Sequence, residues 1–220
     1  MYRTICYLIG IALLFVSMLG TPAHAQKVSK TGEQEPERIR GQIASVDDSS
    51  VVLKTKNGKK VNLKLLDYSS VLSLSKSSFT DVDFGVYVGS VSKRLDQYSP
   101  IVRDSLSWLH QGYELRVFDE ELRGLALGHQ KWDLTSESVM THGWVDDLEI
   151  RVLSIKYGPT EEEETDVDVS RDVPILRLSV GDKSLLKPGA HVFAGAQKEE
   201  DGGYVAVFLM VGQDGIVPSL

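Results

Sequence analysis

The sequence predicts an all-β protein of two tandem small OB-like β-barrels, with one short helix inserted in the first barrel and an N-terminal signal helix. Three observations predict it: short β-branched and aliphatic stretches alternate with turn signals, two parts of the chain resemble each other, and only one internal segment has a helical pattern. The predicted order is a signal peptide (1–25), a flexible leader (26–37), a first barrel (38–124), a joint (125–138) and a second barrel (139–220).

The N-terminal segment has the three parts of a secretory signal. Arg3 precedes a largely apolar run from Ile5 to Leu19, and Ala23-His24-Ala25 forms a small-x-small cleavage site. We expect a Sec-type signal peptide cleaved after Ala25, and therefore a periplasmic or secreted protein. The apolar run is shorter than the roughly 18 to 20 residues of a spanning helix, although an uncleaved anchor is the alternative.

Composition excludes several classes of function. Cys6 is the only cysteine and lies within the apolar run, so the mature chain has no thiol for disulfides, nucleophilic catalysis or metal binding. Lys and Arg number 24 against 31 Asp and Glu, and removal of the signal takes away only Arg3. This acidic balance disfavours nucleic acid as a partner. We expect no membrane span after signal cleavage.

The first hairpin can be placed in register from the sequence. A three-residue loop at Lys56-Asn57-Gly58, with its glycine in the left-handed conformation, sets Leu53 opposite Val61 and Val51 opposite Leu63. A two-residue loop would bring polar side chains onto the aliphatic face. Burial therefore favours the longer loop.

Two pairs of segments indicate an internal repeat. "FGVYVGSVSKR" from Phe84 resembles "PGAHVFAGAQK" from Pro188, and "GYELRVFDEELRG" from Gly112 resembles "GYVAVFLMVGQDG" from Gly203. Two copies of one small β unit explain both pairs. Five short strands in each copy are typical of a small closed or partly open barrel of OB type.

Three longer stretches resemble an uncharacterised exported bacterial family with tandem OB-like domains. They are "RGQIASVDDSSVVLKTKNGKKVNLKL", "GHQKWDLTSESVMTHGWV" and the closing part from "GDKSLLKPGAHVFAGAQK" to "GQDGIVP". The resemblance covers nearly all of the mature chain and implies a tandem barrel fold with no established activity. The chain departs from the family pattern at Lys131, where relatives carry proline, and at residues 97–111, where relatives have a short turn.

Residues 99–111 have the pattern of a short amphipathic helix. Ser99 is placed as the N-cap, Pro100 as the first helical residue and Gly112 just past the end. The helix would plug the open end of the first barrel. The alternative is a projection that binds a partner through exposed Ile101 and Trp108.

The "GHQKWDL" stretch, residues 128–134, lies between the two copies and carries His129, Trp132 and Asp133. An aspartate beside a histidine can form part of a general base. No nucleophile motif or second telling carboxylate accompanies them, so we expect a structural joint. Its Trp ring would wedge between the barrels, while His129 and Asp133 would hydrogen-bond the connecting backbone.

The remaining candidate sites are weak. His110, His129, His142 and His191 show no ligand spacing, and the acidic segment 161–172 lacks the ordered pattern of a calcium loop. That segment is expected to be a solvated hairpin tip, although weak divalent binding by charge alone is the alternative. Exposed lysines on the first hairpin offer either a polyanion surface or a soluble strand face: Lys54, Lys56 and Lys60.

These observations predict an exported non-enzymatic binding or adaptor protein of the bacterial envelope, with no catalytic residues, no cofactor and no specific metal site. Its partner would be an unknown envelope protein or polymer. A soluble metal-associated periplasmic protein is the alternative, and a hydrolase whose residues converge only on folding is a third hypothesis.

Overall fold

The computed structural model describes residues 36–95, 109–160 and 162–218, which form thirteen β-strands and three short 3-10 turns. The all-β class is confirmed, and these ranges contain no helix long and apolar enough to cross a membrane. The strands are β1 (Glu37–Val46), β2 (Ser50–Lys54), β3 (Lys60–Lys64), β4 (Ser70–Lys76), β5 (Tyr87–Arg94), β6 (Leu109–Phe118), β7 (Gly128–Lys131), β8 (Ser138–Glu149), β9 (Val152–Lys156), β10 (Glu164–Asp168), β11 (Ile175–Val180), β12 (His191–Lys198) and β13 (Tyr204–Gly212). The 3-10 turns are η1 (Phe79–Asp81), η2 (Glu120–Leu122) and η3 (Lys183–Leu185).

Strand pairing closes two five-stranded rings. Ring A runs β1, β2, β3, β13, β12 and back to β1, and ring B runs β8, β9, β10, β6, β5 and back to β8. Each ring is antiparallel except at one junction, β3 with β13 in ring A and β10 with β6 in ring B. Closure leaves neither ring with an open edge.

The rings do not coincide with the expected domains. Strands β5 and β6 belong to the expected first barrel, 38–124, yet they pair with β8 and β10 of 139–220. Strands β12 and β13 pair in return with β1 and β3. Ring B therefore contains two strands of the expected first barrel, and ring A contains two strands of the expected second barrel.

Two central strands join the rings into one continuous sheet. Strand β4 lies parallel to β13, β11 lies parallel to β6, and β4 and β11 pair antiparallel with Leu74 opposite Leu178. The β4–β11 pair thus connects the two rings, and a third cluster of buried side chains lies around it.

Irregularities in the pairing recur at matching places in the two rings. Strand β1 bulges at Ile43–Ser45 against β2, and β8 bulges at Val145–Asp147 against β9. Strand β6 bulges between Gly112 and Glu114 against β5, and β13 bulges between Ala206 and Phe208 against β12. Such bulges change the local twist of a strand, so the two rings curve at equivalent points.

The predicted register of the first hairpin is confirmed. Leu53 pairs with Val61 and Val51 pairs with Leu63. Gly58 has a φ of 81°, in the left-handed region that favours glycine. The aliphatic side chains of this hairpin enter the core of ring A, where Val51, Leu53 and Leu63 are fully buried.

Two other expectations are corrected. Residues 96–108, most of the expected helix, lie outside the described residues, but its last three residues, 109–111, belong to β6 and pair with β5 and β10. The acidic segment is not a hairpin tip throughout, because Glu164–Asp168 forms β10. Thr165 and Val167 face the core of ring B there, so alternate acidic side chains are turned outward.

Candidate functional site

A cavity of about 510 Å³ lies against the central strands. Its size falls within the range of pockets that enclose small molecules. Most of its walls are aliphatic or aromatic. The apolar side chains that line it include Leu72, Phe118, Leu122, Leu125, Trp132, Met140, Leu178, Phe193, Phe208 and Met210. The carbon-rich walls favour an apolar ligand.

The cavity is lined in part by strands β13 and β6, each of which buries side chains on both of its faces. On β13, Leu209 and Val211 enter the core of ring A while Met210 joins the central cluster. On β6, Leu115 enters the core of ring B while Phe118 joins the same central cluster. Strands buried on both faces read as continuous apolar runs, and "YVAVFLMVG" of β13 is such a run. This signal could have identified the cavity walls from the sequence.

A loop that carries η2 forms one side of the cavity with Leu122, Leu125 and Ala126. The Tyr87 hydroxyl donates to the Leu125 carbonyl at 3.0 Å, and His142 Nδ1 lies 3.0 Å from the same oxygen. Because a carbonyl only accepts, His142 must carry its proton on Nδ1. Two side chains from ring B strands thus hold this loop at the cavity.

Burial determines the protonation of both side chains. It lowers the pKa of His142 to about 4 and raises the pKa of Tyr87 to about 12. The nearby Arg116 guanidinium adds to the lowering at His142. At neutral pH, both groups are therefore uncharged, and burial gives no reason to expect acid–base catalysis from either of them.

Trp132 packs against the ring A side of the cavity. Its ring lies 6.0 Å from that of Phe193, and the Arg38 guanidinium sits 3.8 Å above its centroid. The buried indole Nε1 has no hydrogen-bond acceptor among the described residues. An N–H without an acceptor is a costly feature in an interior, and a ligand oxygen would relieve it.

Asp133 is bound by arginines of β1. Arg40 donates two hydrogen bonds to its carboxylate, both at 2.8 Å, and Arg38 lies 3.6 Å away. The hydrogen bond from Arg40 holds the pKa of Asp133 below its usual value. The sequence predicted hydrogen bonds between Asp133 and the connecting backbone, whereas its shortest contacts are with a side chain of ring A.

His129 lies in β7, a strand that the sequence did not predict and that pairs with β8. Its Nδ1 is 2.8 Å from the Thr141 hydroxyl, and its ring stacks on Tyr157 at 5.2 Å. The expected hydrogen bond to backbone is therefore replaced by one to a side chain. His129 is not among the cavity-lining residues, so "GHQKWDL" divides between two environments.

A buried ion pair lies on the cavity side of β6. Arg116 Nε donates to Glu114 at 2.6 Å, and both side chains are almost fully buried. Arg116 lines the cavity, whereas no carboxylate does so among the described residues. The pair places polar atoms in a wall that is otherwise mostly apolar.

The histidines do not assemble a metal centre among the described residues. His110 and His129 approach with ring centroids 6.0 Å apart, but no group of three potential ligands is found there. Burial lowers the pKa of His110 to about 4, with a further contribution from His129. The acidic strand β10 gathers no such group in the described part of the chain either.

The predicted lysine surface lies apart from the cavity. Lys54 and Lys60 pair across the first hairpin and Lys56 lies in its turn, all with exposed side chains. Ile101 and Trp108 lie outside the described residues. Their role in partner binding stays a prediction.

Comparison with protein-family models, curated proteins and solved structures finds no match to this chain.

Proposed function

We propose that this protein is an exported, non-enzymatic binding protein that takes up a small apolar molecule in its central cavity. The observation that carries the proposal is the cavity of about 510 Å³ with aliphatic and aromatic walls. Folding normally fills such space with side chains, and a gap of this size forfeits packing energy that a ligand can restore.

One feature of the sequence and one of the structure support the remaining parts of this proposal. The signal-like N-terminus, with cleavage after Ala25, implies export to the periplasm or beyond. The matched registers and bulges of the two rings support two copies of one OB-like unit, joined by exchange of their last two strands. The expected joint at His129, Trp132 and Asp133 would then link the copies.

The absence of enzyme activity is part of the proposal. The titratable side chains that line the cavity in the described residues are Arg38, Arg116 and His142. Arg116 is bound to Glu114, and His142 is neutral with Nδ1 committed to the Leu125 carbonyl. This set offers no nucleophile paired with a base, so binding is the chemistry it supports best.

A fluorescent apolar probe, N-phenyl-1-naphthylamine, tests the proposal. We expect saturable binding by the protein, with enhanced probe emission. Leu125→Trp should weaken probe binding at least tenfold, because Leu125 lines the cavity and a larger side chain there would block it. Leu127→Trp is the matched control, since Leu127 is similarly exposed, at 43% against 41%, but does not line the cavity. No saturable probe binding, or equal effects of the two variants, would refute the proposal.

A further inference from the structure

The charges around the cavity are unequal, and this inequality bears on what the cavity binds. Arg116 has the buried carboxylate of Glu114 as its partner, and Arg40 holds Asp133 in a bidentate pair. Arg38 lies 3.6 Å from Asp133, a carboxylate whose two oxygens already accept from Arg40. Among the described residues, Arg38 and Arg40 therefore share one carboxylate, which leaves one positive charge in excess at this part of the cavity.

The excess charge coincides with an unsatisfied hydrogen-bond donor. The Arg38 guanidinium stacks on the Trp132 ring, and the buried Trp132 Nε1 has no acceptor among the described residues. Arg38 and Trp132 both line the cavity. One end of the cavity thus carries a cation, which attracts an oxygen anion, directly above the ring that bears the unsatisfied N–H group.

The other walls suit an alkyl chain. Phe193, Phe208 and Met210 of ring A line the cavity together with Phe118 and Leu178. The volume of about 510 Å³ has room for roughly 15 water-sized groups, which is about the number of heavy atoms in a medium-chain fatty acid. Burying such a chain against these side chains supplies most of the affinity.

We infer that the cavity binds an aliphatic monocarboxylate, with its carboxylate at Arg38 and Trp132 and its chain against the central strands. This inference rests on the proposed function and names its ligand class. A single excess charge matches a monoanion. A neutral alcohol would bring no charge to balance the excess at Arg38, and a cationic amphiphile would be repelled.

Calorimetric titration with four twelve-carbon probes tests the inference: laurate, dodecan-1-ol, dodecyl phosphate and dodecyltrimethylammonium, each below its micelle concentration. We expect laurate to bind at least tenfold more tightly than the alcohol, and the cation to bind most weakly. Arg38→Gln should lower laurate affinity at least tenfold and dodecan-1-ol affinity much less, so that the preference for laurate is lost. Arg171→Gln, at an exposed arginine outside the cavity lining, should leave both affinities unchanged.

Trp132→Phe keeps an aromatic ring at this position but removes the indole N–H. We expect laurate affinity to fall three- to tenfold, with a smaller fall for the alcohol. Equal binding of laurate and alcohol, with no effect of Arg38→Gln, would overturn the inference but leave a binding cavity. Tighter binding of dodecyl phosphate than of laurate would overturn the assignment to a carboxylate. Failure of all four probes and of the naphthylamine probe would overturn the proposed function as well.

Discussion

Strands β6 and β13 occupy equivalent places in the two rings but turn different side chains toward the cavity. On β13, Phe208 lies opposite Gly195 beside the bulge of β13, and Met210 follows two residues later. On β6, Glu114 lies opposite Val91 at the matching bulge, and Arg116 follows two residues later. The backbones share their pairing, whereas one face is apolar and the other carries a buried ion pair. The two strands therefore share their backbone pairing but not the character of the side chains on these faces.

The largest expected effect comes from breaking that ion pair. Glu114→Ala should lower the free energy of unfolding by about 3 to 5 kcal/mol, because it removes the buried carboxylate to which Arg116 Nε donates. Urea denaturation measures this change. Phe208→Leu is the comparison variant on the apolar face, and should cost less than about 2 kcal/mol.

A double variant sharpens the same comparison. Glu114→Phe with Arg116→Met copies the β13 residues onto β6, and should be about as stable as the parent protein, since apolar replacement of a buried pair is often neutral. A double variant as unstable as Glu114→Ala would mean that the two faces are not interchangeable.

The connector should give the next largest effect. Trp132→Ala should destabilise the protein by about 2 to 4 kcal/mol, because the ring packs on Phe193 of ring A while β7 pairs with β8 of ring B. Thermal unfolding followed by circular dichroism measures it. Leu134→Ala, at an exposed neighbour, is the control and should have little effect. An unchanged melting temperature for Trp132→Ala would show that the connector does not hold the rings together.

Acid should destabilise ring B through its buried histidines. The folded pKa of His142 is about 4, below its ordinary value of 6.5, so protons bind the unfolded chain more tightly. This contribution is complete above about pH 6.5 and is lost as pH falls toward 4. Stability measured by urea denaturation at pH 7.5 and 4.5 should therefore differ by a few kcal/mol.

His142→Gln should remove about half of that pH difference, because burial gives His110 a pKa of about 4 as well. The double variant with His110→Gln should remove most of it. A pH difference that both variants leave intact would show that carboxylates, rather than these histidines, control acid stability.

The smallest effect compares two glycines at equivalent strand positions. A Cβ at Gly41 would lie 2.8 Å from the Lys54 carbonyl oxygen, and one at Gly143 would strike the Lys156 carbonyl oxygen. Alanine at either site should cost about 1 to 3 kcal/mol in chemical denaturation, with the larger cost at Gly143. A loss of stability at only one of the two sites would show that β1 and β8 differ in local packing although their pairings match.

Prediction from sequence succeeded where structure is decided locally. The first hairpin has a turn glycine and alternating aliphatic residues, so one register alone buries Val51, Leu53, Val61 and Leu63. The exchange of strands was not predictable in this way. Because β5 and β12 have similar sequences, either of them could pair with β1 by pattern alone, and only the connections in space decide.

The candidate site was only partly predictable, for a related reason. Trp132 and Asp133 stand out in the sequence, but their partners Arg38 and Arg40 lie more than 90 positions away on β1. Arginines at the start of the predicted first barrel carry no local signal of a cavity. The buried Glu114 and Arg116 were missed because charged residues are normally assigned to the surface.

The exchange of strands has a consequence for the order in which the molecule matures. Ring A begins with β1 but needs β12 and β13, the last strands of the chain, before it can close. Until synthesis reaches the C-terminus, β1 and β3 keep unpaired backbone groups, and the nascent N-terminal half is open to wrong partners. A premature stop before β12 would thus leave ring A open while every strand of ring B is already present.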